Sequence, residues 1–269
     1  METICPIDKM NIKPETPLSY PILEHDPETN AIIEPGHLHP PIDIAERCVV
    51  CFFQEVIRRL NDEGRLRQIY ETGSEYGKNP IYELEHKGER IALFHPGVGA
   101  ALSAGILEEV IALGCRKFVA IGSAGVLHGH IALGHLIVPT SALRDEGTSY
   151  HYLPPSREVE PSPEMVAAIV QTLNEQKVEY STGKTWTTDG LFRETAGKIK
   201  RRRDEGCITV EMEAAAFFAV AKFRGVQFGQ ILYGGDDVSG EVWDHRRWHS
   251  KKDVRWGMME LALEALLKG

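Results

Sequence analysis

The chain has 269 residues, 42% hydrophobic and 26% charged, with a formal net charge of -9. That is enough for one large α/β domain or two small ones, with a core that needs no staples. The acidic balance argues against a nucleic-acid groove, and no stretch of about 18 uncharged apolar residues marks a membrane span.

The opening "METICPIDKMNIKPETPLSY" has no apolar h-region and predicts no signal peptide. Residues 1–46 are rich in Pro, Glu and His and weak in periodicity. They read as an extended arm that wraps the domain or a neighbouring subunit. Residues 47–269 read as a single α/β domain. "RCVVCFF" predicts a buried strand, and "QEVIRRLNDEG" a helix ending at Gly64. Cys48 and Cys51 have CxxC spacing but no second Cys or His pair at zinc spacing, so two small core residues are expected. With Cys5, Cys115 and Cys207 the count is odd and the spacing irregular, which suits a reducing cytoplasm.

"IYELEHKGERIALFHPG" alternates on either side of Lys87-Gly88 and predicts a hairpin. "GVGAALSAGILEEVIALGC" predicts a helix stopped by Gly114. "KFVAIGSAG" reads as a buried strand running into a glycine-rich turn, and "HLIVPTSALRDEG" as a strand with its exit loop. "SPEMVAAIVQTLNEQKV" is a helix, "EYSTGKTWTTD" a strand and "RETAGKIKRRRDEG" a polar helix. The basic run "KIKRRRDEG" is expected to be a solvated face of that helix. "CITVEM" is a strand, "EAAAFFAVAKFRGV" a helix stopped by Gly225, "QFGQILYGGDD" a strand and "SKKDVRWGMMELALEALLKG" a closing helix. This alternation predicts an α/β fold with a central, largely parallel sheet covered on both faces.

Ligands of open α/β sheets bind beyond the carboxyl ends of strands. Three such ends carry unusual residues. "AIGSAG" places Gly122 and Ser123 after a buried strand. It reads equally as a tight turn or as a loop whose N–H groups approach a ligand. "HPGVGA" is a second glycine turn with the same ambiguity. "ITVEMEAAAFF" sets Glu211 and Glu213 about Met212. In an extended segment the two carboxylates share a side, whereas in a helix they lie about 200° apart. Two carboxylates at a strand end suit a vicinal diol, and a thioether suits a sugar face. Glu213 also reads as a first-turn helix residue favoured by the dipole. "YGGDDVSGEVWDHRRW" ends a strand in Asp236-Asp237. It reads as a solvated acidic turn or as the seat of a general acid.

Together "HPGVGAALSAGILEEVIALG", "FVAIGSAGVL", "ALRDEGTSYHY", "TWTTDGLFRET", "VEMEAAAFF" and "GGDD" resemble the nucleoside phosphorylase superfamily of purine nucleoside and uridine phosphorylases and their nucleosidase relatives. The resemblance runs from about residue 90 to the C-terminus. It implies a three-layer α/β/α sandwich with a mixed sheet, assembled as a homo-oligomer from dimer to hexamer. It implies cleavage of an N-glycosidic bond, with phosphate as co-substrate and no metal or other cofactor. Met212 and Glu213 would hold the ribose, with Glu211 and Ser123 beside them. Gly122, Ser123 and Arg144 would border phosphate. Asp236 would protonate a purine at N7, and Phe192 and Thr188 of "TWTTDGLF" would wall the base. The implied activity is release of free base and ribose 1-phosphate; a nucleosidase using water and a non-catalytic nucleoside binder are the alternatives.

The sequence departs from the resemblance twice. Ala120 stands where phosphorylases of this kind carry an arginine, and "IEPGHLHPP" lacks the Asp of a Gly-Asp-Pro phosphate loop. Arg47, Arg144, Arg193 or a neighbouring subunit's arginine would have to substitute. No Gln-x-Arg of the uridine type follows "TTD", so Asp236 leans towards a purine, with Arg246 or Arg247 as support for the acid; the doublet Asp236-Asp237 leaves the acid's identity open by one residue.

Overall fold

The computed structural model describes residues 20–269; residues 1–19 of the expected arm, Cys5 among them, lie outside that range. Helix α1 is Pro35–Leu38, strand β1 Arg47–Cys51 and helix α2 Gln54–Asp62. Strands β2 Arg67–Ser74, β3 Gly77–His86 and β4 Glu89–Phe94 follow, then helix α3 Ala100–Leu113. Strands β5 Lys117–Val126, β6 Leu136–Asp145 and β7 Glu158–Val159 precede helix α4 Pro163–Glu175. Strand β8 is Tyr180–Thr188, helix α5 Ala196–Asp204 and strand β9 Cys207–Glu211. Helix α6 is Ala214–Arg224, strand β10 Gln227–Asp237 and helix α7 Lys252–Leu266.

The strands join in the order β10-β6-β8-β9-β5-β1-β4-β3-β2, with β7 on β6. β10 also pairs with β5, so β5, β10, β6, β8 and β9 close into a ring. The sheet is mixed. β1 runs parallel to both β4 and β5, and β8 parallel to β6 and β9. The β2–β3–β4 meander and the β5–β9 and β6–β10 pairs are antiparallel. The β3–β4 turn falls at Lys87 and Gly88, both at positive φ, the geometry a two-residue hairpin needs.

Continuous apolar runs become strands buried on both faces because side chains alternate. Cys48 and Val50 of β1 join one core, and Val49 and Cys51 the other. Ala92 and Phe94 split from Ile91 and Leu93 in the same way. Helices α3 and α6 cover the first face, and α2, α4 and α7 the second, which makes three layers. The small side chains of "AAAFFAVA" leave α6 buried from Ala214 to Ala221. Phe217 stacks on Phe228 at 4.9 Å between centroids. Cys48 and Cys51 are core residues, as expected.

Two features differ from expectation. The basic run is not wholly a solvated face: Arg202 turns inward and pairs with Asp145 at 2.9 Å and Glu205 at 3.2 Å. "AIGSAG" and "YGGDD" do not turn at their glycines, because β5 runs on to Val126 and β10 to Asp237. The segment before β1 lies on the chain's own helices. Ile44 and Ala45 enter the core, and Glu34 pairs with Arg224 at 3.1 Å. Among the described residues no helix is long and apolar enough to cross a membrane.

Candidate functional site

The ends of β5, β9 and β10 meet at a cavity of ≈320 Å³. Close approach, not turning, explains the glycines of β5. Gly122 and Gly125 do not take positive φ. A Cβ on Gly122 would stand 3.2 Å from the Phe52 ring, and one on Gly125 3.1 Å from Val210. "HPGVGA" is the true turn, with Gly97 at φ 77° and Gly99 at φ 92°. It brings Val98 to the cavity and caps α3.

Glu211 and Glu213 both reach this cavity and both are buried. Their bracing differs. Glu211 Oε2 accepts the backbone N–H groups of Glu213 at 2.7 Å and Ala214 at 2.6 Å, so it caps α6. Its Oε1 accepts the Thr187 hydroxyl at 2.6 Å, and Thr187 in turn accepts the Ala215 N–H at 2.9 Å. Four donors of the β8 end and the α6 N-terminus are thereby satisfied. Glu213 has one firm partner, the Gly99 N–H at 2.6 Å on Oε1. Burial, then the neighbouring Glu211 charge, lifts Glu213 to about 8. Burial lifts Glu211 to about 7 against its hydrogen bonds. The two carboxyls titrate as a pair near neutrality, and Glu211, with more N–H and O–H groups on its charge, is the better braced of the two. Met212 lies between them on the cavity wall.

The acidic doublet of β10 divides. Asp236 lines the cavity, and Trp243 Nε1–H donates to its Oδ2 at 2.6 Å. Asp237 is bound by Arg246 and by the Ser239 N–H at 2.8 Å. Of the doublet, Arg246 therefore supports Asp237, while Asp236 is the one that lines the cavity. Glu194 stands with Asp236 at this end, and burial followed by the Asp236 charge raises it to about 7. Sequence reading passed over Glu194; its signal was a carboxylate in the loop just after the β8 end.

Ser123, Gly122, Phe52, Phe53 and Gln230 also line the cavity. Among the described residues one cation lines the cavity, Arg255 of α7. It pairs with Glu55, donates to Tyr233 Oη at 3.0 Å and lies 4.9 Å over the Phe53 ring. Arg255 was also missed. The signal was a cation on the inward face that carries Met258, Met259 and Ala262, three, four and seven residues on.

Several expected site residues lie elsewhere. Arg144 is buried and spends its guanidinium on Ser149, Ser156 and the Leu153 and Pro154 carbonyls, so it holds its own loop and cannot border phosphate. Arg47 sits at the far end of β1, on Glu89 and the Leu266 carbonyl. Arg193 is exposed and outside the cavity lining. Thr188 is buried and caps Gly190 at 3.1 Å. Phe192 is 93% exposed; a short 3₁₀ turn over Leu191–Arg193 presents Leu191 to the cavity in its place.

A family model described as "Phosphorylase superfamily" matches residues 46–262. The guanosine phosphorylase of Halorubrum lacusprofundi is 26% identical over 161 residues, 60% of this chain and 67% of that protein. The uridine phosphorylase of Haemophilus influenzae is 25% identical over 158 residues, 54% of this chain and 63% of that one. These matches span about two thirds of the relatives' own length. The crystal structure of an AMP nucleosidase from Bacteroides thetaiotaomicron shares the fold, with TM-score 0.67 and 22% identity over 84% of this chain and 88% of that chain.

Proposed function

The chain belongs to the phosphorylase superfamily, and from that footing we propose that it cleaves the N-glycosidic bond of a nucleoside, with water as the nucleophile. The charge balance of the cavity carries the choice of water. Glu194, Glu211, Glu213 and Asp236 line it against Arg255, whose charge Glu55 already offsets. A dianionic phosphate needs fixed positive charge or several N–H donors. Ala120 is fully buried and Arg144 is committed to its loop, so neither supplies it.

Ribose lies across Met212, with its 2′- and 3′-hydroxyls on Glu213. As the C1′–N bond lengthens the sugar gains oxocarbenium character, and the Glu211–Glu213 pair stabilises that charge. Glu211 acts through position, holding the α6 N-terminus and the Glu213 backbone in place. At the other end Asp236, with Glu194 beside it, gives a proton to the leaving base, which keeps the electron pair of the broken bond. The water oxygen bonds to C1′ and its proton passes to a cavity carboxylate. Leu191 and Val98 give the base an apolar wall.

Phosphorolysis is the second reading. Arg255 at the Ser123 wall favours it, and the relatives at 26% and 25% identity are phosphorylases by name. Chromatography of a panel of nucleosides, with and without phosphate, separates the two. Free base with free ribose in phosphate-free buffer supports hydrolysis. Strict dependence on phosphate, with ribose 1-phosphate formed, overturns it. Thermal stabilisation by nucleosides without any turnover would leave only a binding protein.

A further inference from the structure

Among the described residues Asp236 makes one hydrogen bond, from Trp243 Nε1–H to its Oδ2 at 2.6 Å. Its other oxygen, Oδ1, has no partner among those residues, and it is not sealed from solvent. Oδ1 lies towards β5: a Cβ on Gly125, which lines the cavity, would stand 3.7 Å from it. The two oxygens of this carboxyl are therefore not equivalent. One is held by an indole, and the other is free beside the cavity lining.

Trp243 is placed by its loop. The chain leaves β10 and folds back on it, with Asp237 and Asp244 exchanging backbone hydrogen bonds at 2.8 and 3.0 Å. Arg246 locks the return: its guanidinium meets Asp237 and donates to the Ile131 carbonyl at 2.8 Å. Arg246 and Arg247 take φ 47° and 48°, a region that residues other than glycine enter rarely. The Trp243 side chain is nevertheless 60% exposed, with its ring 5.1 Å from that of His245. A ring so exposed buries little apolar area, so packing does not account for its placement. Trp243 is not on the cavity lining. It reaches the cavity through the carboxyl it holds.

An indole N–H donates and cannot accept. With Oδ2 occupied as its acceptor, the proton of the acid form belongs on Oδ1. We propose that Trp243 is a positioning residue for the leaving-group acid: by holding Oδ2 it turns Oδ1 and its proton towards the base. The assignment rests on the reading of Asp236 as that acid, and it holds for either nucleophile. In the step, the Oδ1–H bond breaks and an N7–H bond forms on the purine. The electron pair of the C1′–N bond passes to the base. The indole N–H stays on Oδ2 and steadies the carboxylate that remains. Solvent returns a proton to Oδ1 after the base has left.

The test compares leaving groups. Base release from guanosine and inosine, and from their 7-methyl forms, is followed with and without phosphate. A 7-methylated purine leaves as a neutral base and needs no proton at N7. Wild type, Trp243→Phe, Asp236→Asn and the double variant are assayed. Trp243→Phe keeps an aromatic ring and removes the N–H. It is expected to lower kcat about 10-fold on guanosine and inosine, with KM within about twofold of wild type. On the 7-methyl forms the change is expected to stay below about twofold. In the Asp236→Asn background Trp243→Phe is expected to cost nothing further. Unfolding temperatures check the fold, and Trp243→Leu, which also lacks the donor, carries the test if Trp243→Phe does not fold. Equal losses on methylated and unmethylated nucleosides, no loss on either, or a full further loss in the Asp236→Asn background would overturn the role of Trp243 alone. An Asp236→Asn enzyme as fast as wild type on guanosine and inosine, or a wild type that cleaves no purine nucleoside, would overturn the acid reading of Asp236 and the role of Trp243 with it.

Discussion

At the β9–α6 junction, Glu211 and Glu213 are buried carboxylates held by backbone N–H groups, a threonine hydroxyl and the starts of α3 and α6. Elsewhere on the lining, Phe52, Gly122 and Gln230 carry no charge, and the one cation among the described lining residues, Arg255, is tied to Glu55. The two regions face one cavity and follow opposite rules. The first tolerates desolvated negative charge because N–H and O–H donors bind it, and on the proposed reading a sugar cation forms there. The second excludes charge, so it suits a neutral nucleophile. On the proposed reading, the nucleophile is set by what the floor lacks in fixed charge, and the sugar chemistry by the carboxylates.

The contrast can be broken most directly at Glu213. Glu213→Gln keeps the shape and replaces the carboxyl group that faces the sugar with a neutral amide. It is expected to lower kcat about 1,000-fold with the fold retained. Near-normal steady-state kinetics in a folded variant would detach Glu213 from the sugar. Asp236→Asn is expected to cost about 100-fold on purine nucleosides and less on pyrimidine ones. Equal losses on both would make Asp236 structural.

Glu211 sharpens the comparison on the stability side. Glu211→Ala leaves the N–H groups of residues 213 and 214 and the Thr187 hydroxyl without their acceptor. A loss of about 2–3 kcal/mol in denaturant unfolding is expected. A neutral result would show that the α6 N-terminus finds other partners.

The pH dependence separates charge from packing. Burial raises Glu213 from 4.5 to about 8 and Glu194 from 4.5 to about 7 in the fold. The folded state therefore binds protons that the unfolded chain has released. The stability this contributes is fully present below the unfolded value and is lost as pH rises through the folded one. The Tm of the unliganded protein is expected to fall as pH rises from about 5 to about 8.5. Glu213→Gln should flatten part of that slope, so its Tm advantage over wild type grows with pH. Parallel curves for the two proteins would place the proton elsewhere. The smallest effect is expected at Phe192: Phe192→Ala should change kcat/KM less than about twofold, as for an exposed residue.

Much of the fold was legible because its signals are periodic. The strands from β1 to β10 that feed the core appear as apolar runs, and Gly114 and Gly225 mark helix ends that the structure confirms. β2 was not foreseen, since "RQIYETGS" is largely exposed and carries little apolar alternation. At the site, Glu211 and Glu213 were visible because charge inside an apolar run is conspicuous. The division of labour between them was not, because it depends on which N–H groups lie within 2.7 Å of Glu211. Arg144 looked available in sequence, yet its loop folds back and uses four of its five N–H donors. Leu191 replaced Phe192 because a short 3₁₀ turn decides which of two adjacent side chains faces inward. Gln230 and Arg255 were hidden among apolar neighbours, where only the closing of β10 onto β5 and the packing of α7 reveal what they face.

The most direct test of the central claim is free-base release from purine and pyrimidine nucleosides in rigorously phosphate-free buffer, with the sugar product identified. Release accompanied by free ribose, unchanged when phosphate is added, is the predicted result. Release only after phosphate is added, with ribose 1-phosphate as the sugar product, would contradict it.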